Sequence, residues 1–146
     1  MGFLNSLNIS ASGMTAERRR LDTVAENITN MNTTRTENGG PYRRKVVVFE
    51  QMQGASFRNV LSRRMGLNDE HPGVRVTAVL EDQSPLKTVY DPEHPDADEF
   101  GYVALPNVDL VKEVTDSMAA TRAYEANITV FNAVKAMAQK ALEIGR

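Results

Sequence analysis

Apolar side chains recur every seventh position at the start of the chain, at Leu7, Met14, Leu21 and Ile28. Phe3/Leu4, Ala11, Val24/Ala25 and Met31 fill the three- and four-residue offsets between them. This heptad-like stripe predicts a helix from about Asn5 to Met31, roughly 40 Å long. The rest of its surface is rich in Asn, Ser and Thr, which lower helix propensity, so such a helix needs a partner along its stripe. Thr33 to Pro41, ending Asn38-Gly39-Gly40-Pro41, breaks the pattern. Residues 1–35 therefore form an N-terminal helical segment.

Beyond it the period changes from helical to strand-like. Tyr42 to Glu50 is β-branched and aromatic, and Val74 to Leu80 alternates apolar with polar for most of its length. Lys87–Tyr90 and Gly101–Leu105 are two further short strands. Asp91 to Glu99, with two prolines and five acids, is a loop. Residues 36–105 thus make a small β-rich module, too small to be very stable by itself.

Pro106-Asn107 opens the third region, residues 106–146, with Asn107 as the expected N-cap. Neither glycine nor proline follows until Gly145, and Val108 to Ile144 reads as one helix of roughly 55 Å. Val111, Val114, Met118, Thr121, Tyr124 or Glu125, Ile128, Phe131 and Lys135 keep the three-four spacing. Val130, Val134, Met137, Ala141 and Ile144 add a second apolar face near the end. The fold class is α+β: long terminal helices pairing as a coiled-coil-like stack, with the β-rich module between them. The helices carry more apolar surface than one chain of this size covers, so partner chains are expected.

Composition narrows the chemistry. The chain has 146 residues, 41% hydrophobic and 25% charged, with a net charge of −2. That balance implies no general affinity for nucleic acid or an anionic membrane. The charge is unevenly spread: residues 1–45 sum to +3 and residues 81–105 to −6. There is no cysteine, which excludes disulfides and thiolate chemistry. His71 and His94 lie in separate acidic loops without metal-ligand spacing, and the loop from Asp91 lacks the sixth-position glycine and twelfth-position glutamate of a calcium loop. No serine elbow, phosphate loop or dinucleotide fingerprint is present, and Ser56 stands alone in a linker, so no enzyme, cofactor, metal or small-molecule substrate is expected. No stretch approaches the roughly 18 apolar residues of a membrane span, and the start has neither a basic nor an apolar leader region. Met1-Gly2 with Ser6 matches a myristoylation pattern too short to separate from coincidence. Four Asn-x-Ser/Thr triplets begin at Asn8, Asn27, Asn32 and Asn127; three fall inside predicted helices and read as chance. The basic clusters Arg18-Arg19-Arg20 and Arg43-Arg44-Lys45 read as a solvated face or as charged contacts to a neighbouring chain, with the acidic loop at Asp91, Glu93 and Asp96 as the counterpart.

At this point the residues resemble a family. Ile9-Ser10-Ala11-Ser12-Gly13-Met14-Thr15-Ala16, then Leu21-Asp22 and Ala25-Glu26-Asn27-Ile28-Thr29-Asn30, resemble the N-terminal signature of the flagellar axial proteins, the rod, hook and hook-associated subunits. Gly39-Gly40-Pro41-Tyr42-Arg43-Arg44-Lys45, Tyr90-Asp91-Pro92, His94-Pro95-Asp96-Ala97-Asp98 and Gly101-Tyr102-Val103 are similar to the proximal-rod members of that family. Pro106-Asn107-Val108, Arg122-Ala123-Tyr124-Glu125-Ala126-Asn127 and Lys140-Ala141-Leu142 carry the resemblance to the end of the chain. Thr29, Leu105 and Asp109 depart from the pattern.

The resemblance implies a structural subunit of the bacterial flagellar proximal rod, in the periplasmic part of the basal body. Such a subunit leaves the cell through the flagellar type III export apparatus without a cleaved signal. It polymerises through its terminal helices into the tubular shaft that transmits motor torque. Its partners would be copies of itself and other rod subunits, with no nucleic acid. Leu7, Met14, Leu21 and Ile28 would then meet Val111, Val114, Met118, Tyr124, Ile128 and Phe131, within a subunit and between neighbours. Arg18, Arg19, Arg43, Arg44, Asp91, Glu93 and Asp96 are the candidate charged contacts. The rivals are another axial subunit and a self-contained coiled-coil binding module.

Overall fold

The structure, a computed structural model, describes residues 3–37, 39–52, 61, 64–65 and 73–144. Met1-Gly2, Asn38, Ser56 and His71 lie outside the described residues. Two long helices, α1 (Phe3–Thr29) and α2 (Leu110–Ile144), flank four strands: β1 (Lys45–Gln51), β2 (Val74–Glu81), β3 (Lys87–Tyr90) and β4 (Tyr102–Leu105). The strands pair as β1-β2 and β3-β4, giving the expected α+β class. Met52 N–H bonds the Gly73 carbonyl, and Asp82 N–H the Arg44 carbonyl, so β1 and β2 run antiparallel. In the second pair Lys87 lies opposite Leu105, and Tyr90 opposite Tyr102. Among the described residues no helix is long and apolar enough to cross a membrane.

Several boundaries differ from the sequence reading, each for a local reason. Helix α1 stops at Thr29 rather than Met31 because Asn30 N–H makes the last four-residue bond, to the Glu26 carbonyl, while Met31 N–H bonds Ile28 and Thr33 N–H bonds Asn30, three residues back, closing turns in place of further helical steps. Asn107 is not the N-cap of α2; Asp109 is, its Oδ1 accepting from Val111 N–H at 2.9 Å and Lys112 N–H at 3.3 Å. Strand β1 starts at Lys45, not Tyr42, because the preceding backbone is bonded elsewhere: Tyr42 N–H to the Thr33 carbonyl and Arg44 N–H to Asn107 Oδ1. Gly101, at φ +79°, stands outside β4, since that left-handed turn cannot continue a strand.

The chain forms two compact units, each taking parts of both helices and of the strands. One comprises residues 1–19, 49–77 and 121–146, the other residues 20–48 and 78–120. In the first, Ser10, Ala16 and Val134 are buried among the described residues. In the second they are Thr23, Val24, Asn27, Tyr42, Val103, Pro106, Val108, Glu113 and Ala120. Polar and small side chains thus hold much of the interior.

Candidate assembly surfaces and the buried polar clamp

In the second unit, Asn27 uses its whole amide. Its Oδ1 accepts from the Tyr42 hydroxyl and from Lys45 N–H, both at 2.9 Å. Its Nδ2 donates to the Lys45 carbonyl at 2.9 Å and to Glu113 Oε2 at 3.0 Å. One side chain on α1 therefore fastens the start of β1 and the first turn of α2. Glu113 is fully buried, and its other oxygen accepts from Arg44 Nε at 2.5 Å. Arg44 also reaches Asp116 at 3.1 Å and Asp82 at 3.9 Å, while Arg20 meets Asp116 at 3.5 Å. Lys45 pairs with Glu26. Burial pushes the Tyr42 phenol above its ordinary range, and the charges of Glu26, Glu113 and Glu81 push the same way, so it remains a hydrogen-bond donor. Hydrogen bonds from the Ser84 N–H and hydroxyl hold Asp82 below the usual carboxylate range.

Asn107 completes this clamp from the segment before α2. Its oxygen accepts from Arg44 N–H at 2.8 Å, and its nitrogen donates to the Asp82 carbonyl at 3.0 Å and to Ser84 Oγ at 2.9 Å. A buried charge is tolerated only when it is paired and hydrogen-bonded, and Glu113 meets both conditions.

In the first unit, close approach replaces charge. A Cβ on Gly13 would lie 2.9 Å from Asn127 Nδ2, so only glycine lets α1 and α2 meet there without displacing that amide. Asn127 Nδ2 itself donates to the Ala123 carbonyl at 3.0 Å. Ser12 Oγ donates to the Ile9 carbonyl at 2.7 Å and accepts from Val74 N–H at 3.1 Å. Gly73, at φ +97°, leaves room for it, since a Cβ there would fall 2.3 Å from Ser12 Oγ.

The apolar stripes take other faces. On α1 the half-buried Leu7, Met14, Leu21 and Ile28 lie roughly a third of a turn from the line of Gly13, Ala16, Thr23 and Asn27 that packs within the chain. On α2 the single stripe read from sequence divides. Tyr124 and Phe131 are half-buried and share the inward line of Glu113, Ala120, Asn127 and Val134. Val111, at 76% exposure, lies with exposed Val114 and Met118 nearly opposite that line, and exposed Ile128 lies between. The inward face of α2 thus mixes polar and small residues with Tyr124, Phe131 and Val134, while Val111, Val114 and Met118 point away from the chain.

Of the candidate charged contacts, Arg44 is engaged in the clamp, and Arg43 Nη1 donates to the Asp82 carbonyl at 3.5 Å. Arg18 and Arg19 are exposed on α1. Asp91 Oδ1 accepts from Glu93 N–H at 3.3 Å, and Glu93 is exposed. Asp96 accepts from the Thr34 hydroxyl at 2.7 Å. Among the described residues no group of three or more His, Asp or Glu side chains is placed to hold a metal ion. Apolar periodicity missed Asn27, Glu113 and Asn107. For two of them the available signal was spacing: Glu113, Ala120 and Asn127 recur every seven residues, and Gly13, Ala16, Arg20, Thr23 and Asn27 follow at three and four, as lines of small or polar residues.

Both helices of the clamp fall in stretches that match known families. Residues 7–35 match the family described as flagella basal body rod protein, and residues 101–144 the C-terminal family of flagellar basal body rod FlgEFG proteins. This defines the class, a flagellar rod protein with both helical ends represented. Over the full length of both chains, the sequence is 49% identical to the flagellar basal-body rod protein FlgC of Bacillus subtilis and 40% identical to that of Salmonella typhimurium. It is 44% identical to the Borreliella burgdorferi protein of the same name, over 99% of this chain and 98% of the relative. The chain belongs to the FlgC family of flagellar basal-body rod proteins.

Proposed function

We propose that the chain is a non-catalytic structural subunit of the proximal rod. It polymerises with copies of itself and with other rod subunits through the outward faces of α1 and α2. The resulting periplasmic shaft carries motor torque, and the subunit reaches it through the flagellar type III export apparatus without a cleaved leader. The family supports the rod assignment. The observation that carries the assembly reading is the uncovered apolar surface of α2, Val111, Val114 and Met118, set nearly opposite the inward line of Glu113, Ala120, Asn127 and Val134. Covering a few hundred Å² of such surface contributes several kcal/mol at about 25 cal/mol per Å², enough to order helical turns that are marginal in one chain. A self-contained coiled coil would instead turn those residues inward.

Amide hydrogen exchange tests this on the full chain, first purified and dilute, then within isolated basal bodies. Helical amides of α1 and α2 are expected to exchange readily in the monomer and to become protected on assembly. Equal protection in both states would mean that neighbours cover neither helix, and the assembly reading would fall.

A further inference from the structure

The β3–β4 hairpin carries an exposed aromatic face outside the helix-mediated assembly reading. Tyr90 and Tyr102 are cross-strand partners with ring centroids 5.3 Å apart and planes at 66°. Tyr90 is 64% exposed, Tyr102 49%, and Phe100 78%. Val103 turns to the other face and is buried there, while its cross-strand partner Val89 stays partly exposed. Large exposed aromatic side chains anchor interfaces because they bury much area at little entropic cost.

This face is held ready in advance. Asp98 Oδ1 accepts from Phe100 N–H at 2.9 Å and Tyr102 N–H at 2.8 Å, and Asp91 N–H bonds the Gly101 carbonyl at 2.9 Å. Gly101, at φ +79°, brings the turn so close that a Cβ would lie 3.0 Å from Tyr90 Cε2 and 3.2 Å from Pro92 Cβ. A preformed surface loses little freedom on binding.

Its charge selects the partner. Asp91, Glu93, Asp96, Asp98 and Glu99 crowd the hairpin tip, and among the described residues none of them pairs with a lysine or arginine. Glu93 and Glu99 are exposed at the rim. A guanidinium fits this combination best: its plane stacks on tyrosine while its fork pairs with carboxylate. The same chain presents one. In the net-positive first 45 residues, Arg20, Arg44 and Lys45 are taken by Asp116, Glu113 and Glu26, while Arg18 and Arg35 are exposed, and of these two Arg18 stands on the regular helix α1, beside Arg19.

We propose that the β3–β4 hairpin of one copy docks on the Arg18 face of α1 in a second copy. Tyr90, Phe100 and Tyr102 supply the stacking surface, and Glu93 and Glu99 the counter-charge. The proposal rests on the rod-subunit reading, since it needs copies held side by side. The chain has no cysteine, so single introduced thiols are unambiguous. Chains carrying Glu99→Cys and Arg18→Cys would be produced together in flagellated cells, basal bodies isolated, and a flexible bismaleimide added. A cross-linked dimer is expected when both variants are present, at about tenfold or more over either alone, the ratio that a contact worth 1.4 kcal/mol sustains. Glu93→Lys with Glu99→Lys should reduce the chain's incorporation into basal bodies about tenfold. Adding Arg18→Glu to that variant should restore it, with circular dichroism unchanged throughout. Basal bodies that contain both cysteine variants yet give no dimer would overturn the proposal, as would cross-linking of Glu99→Cys only to a different protein. Absence of even the unsubstituted chain from basal bodies would sink the rod reading itself, and this docking with it.

Discussion

The two compact units hold the same two helices by different physics. In the unit containing residues 20–48 and 78–120, a ring of directional bonds runs from Tyr42 and Lys45 through Asn27 to Glu113, Arg44 and Asn107. In the other, Gly13 and Gly73 omit side chains so that Asn127 and Ser12 can come close. The first is strong where its charges are satisfied and fragile where one is removed. The second depends on shape, and the flexible end of a side chain can give way. Val111, Val114 and Met118 of α2 stay exposed outside both sets of contacts, which leaves them for neighbours.

The largest effect on the isolated chain is expected from Arg44→Met, which strands the fully buried Glu113 carboxylate. Urea unfolding should show a loss of about 3–5 kcal/mol, partly recovered by adding Glu113→Gln. No loss would mean that the clamp does not organise its unit. Next comes Gly73→Ala, which combines a left-handed φ with a collision at Ser12 Oγ. Here the loss should be about 1–3 kcal/mol, and the same assay finding it neutral would show that Ser12 moves aside without cost. The smallest effect on the monomer is expected from Val114→Glu with Met118→Glu, within about 0.5 kcal/mol per site because both residues are exposed. The same pair should keep the chain out of basal bodies, which immunoblotting of the isolated structures would register. Destabilisation well beyond that, or normal incorporation, would place these residues on the wrong side of the comparison.

Much of the architecture was legible in the chain itself. Two long helices, four strands and the loop at residues 91–99 follow from period, β-branching and proline placement, and Lys87–Tyr90 was read to the residue. The α2 cap was misassigned because Asn107 and Asp109 are both good capping residues, and their other partners decided between them. The clamp was less legible. Arg44 read as an outward contact because its neighbours in sequence are basic, while its carboxylate partners lie at positions 82, 113 and 116. The exposed stripe of α2 read as one seam because periodicity marks apolar positions without saying which chain will cover them.

By itself the sequence determined the helix-forming and strand-forming segments, the absence of cysteine chemistry, and, through its motifs, the family. These depend on local propensity, composition and residue identity, which need no tertiary contact. Tertiary structure alone decided that Asn27 and Glu113 face inward and Val111 outward. A helix offers several faces at nearly equal local energy, and the choice between them turned on partners far away in sequence. Where Arg44, Tyr42 and the Lys45 backbone could satisfy Asn27 and Glu113, those polar side chains turned inward, and the Val111, Val114 and Met118 face was left for neighbours.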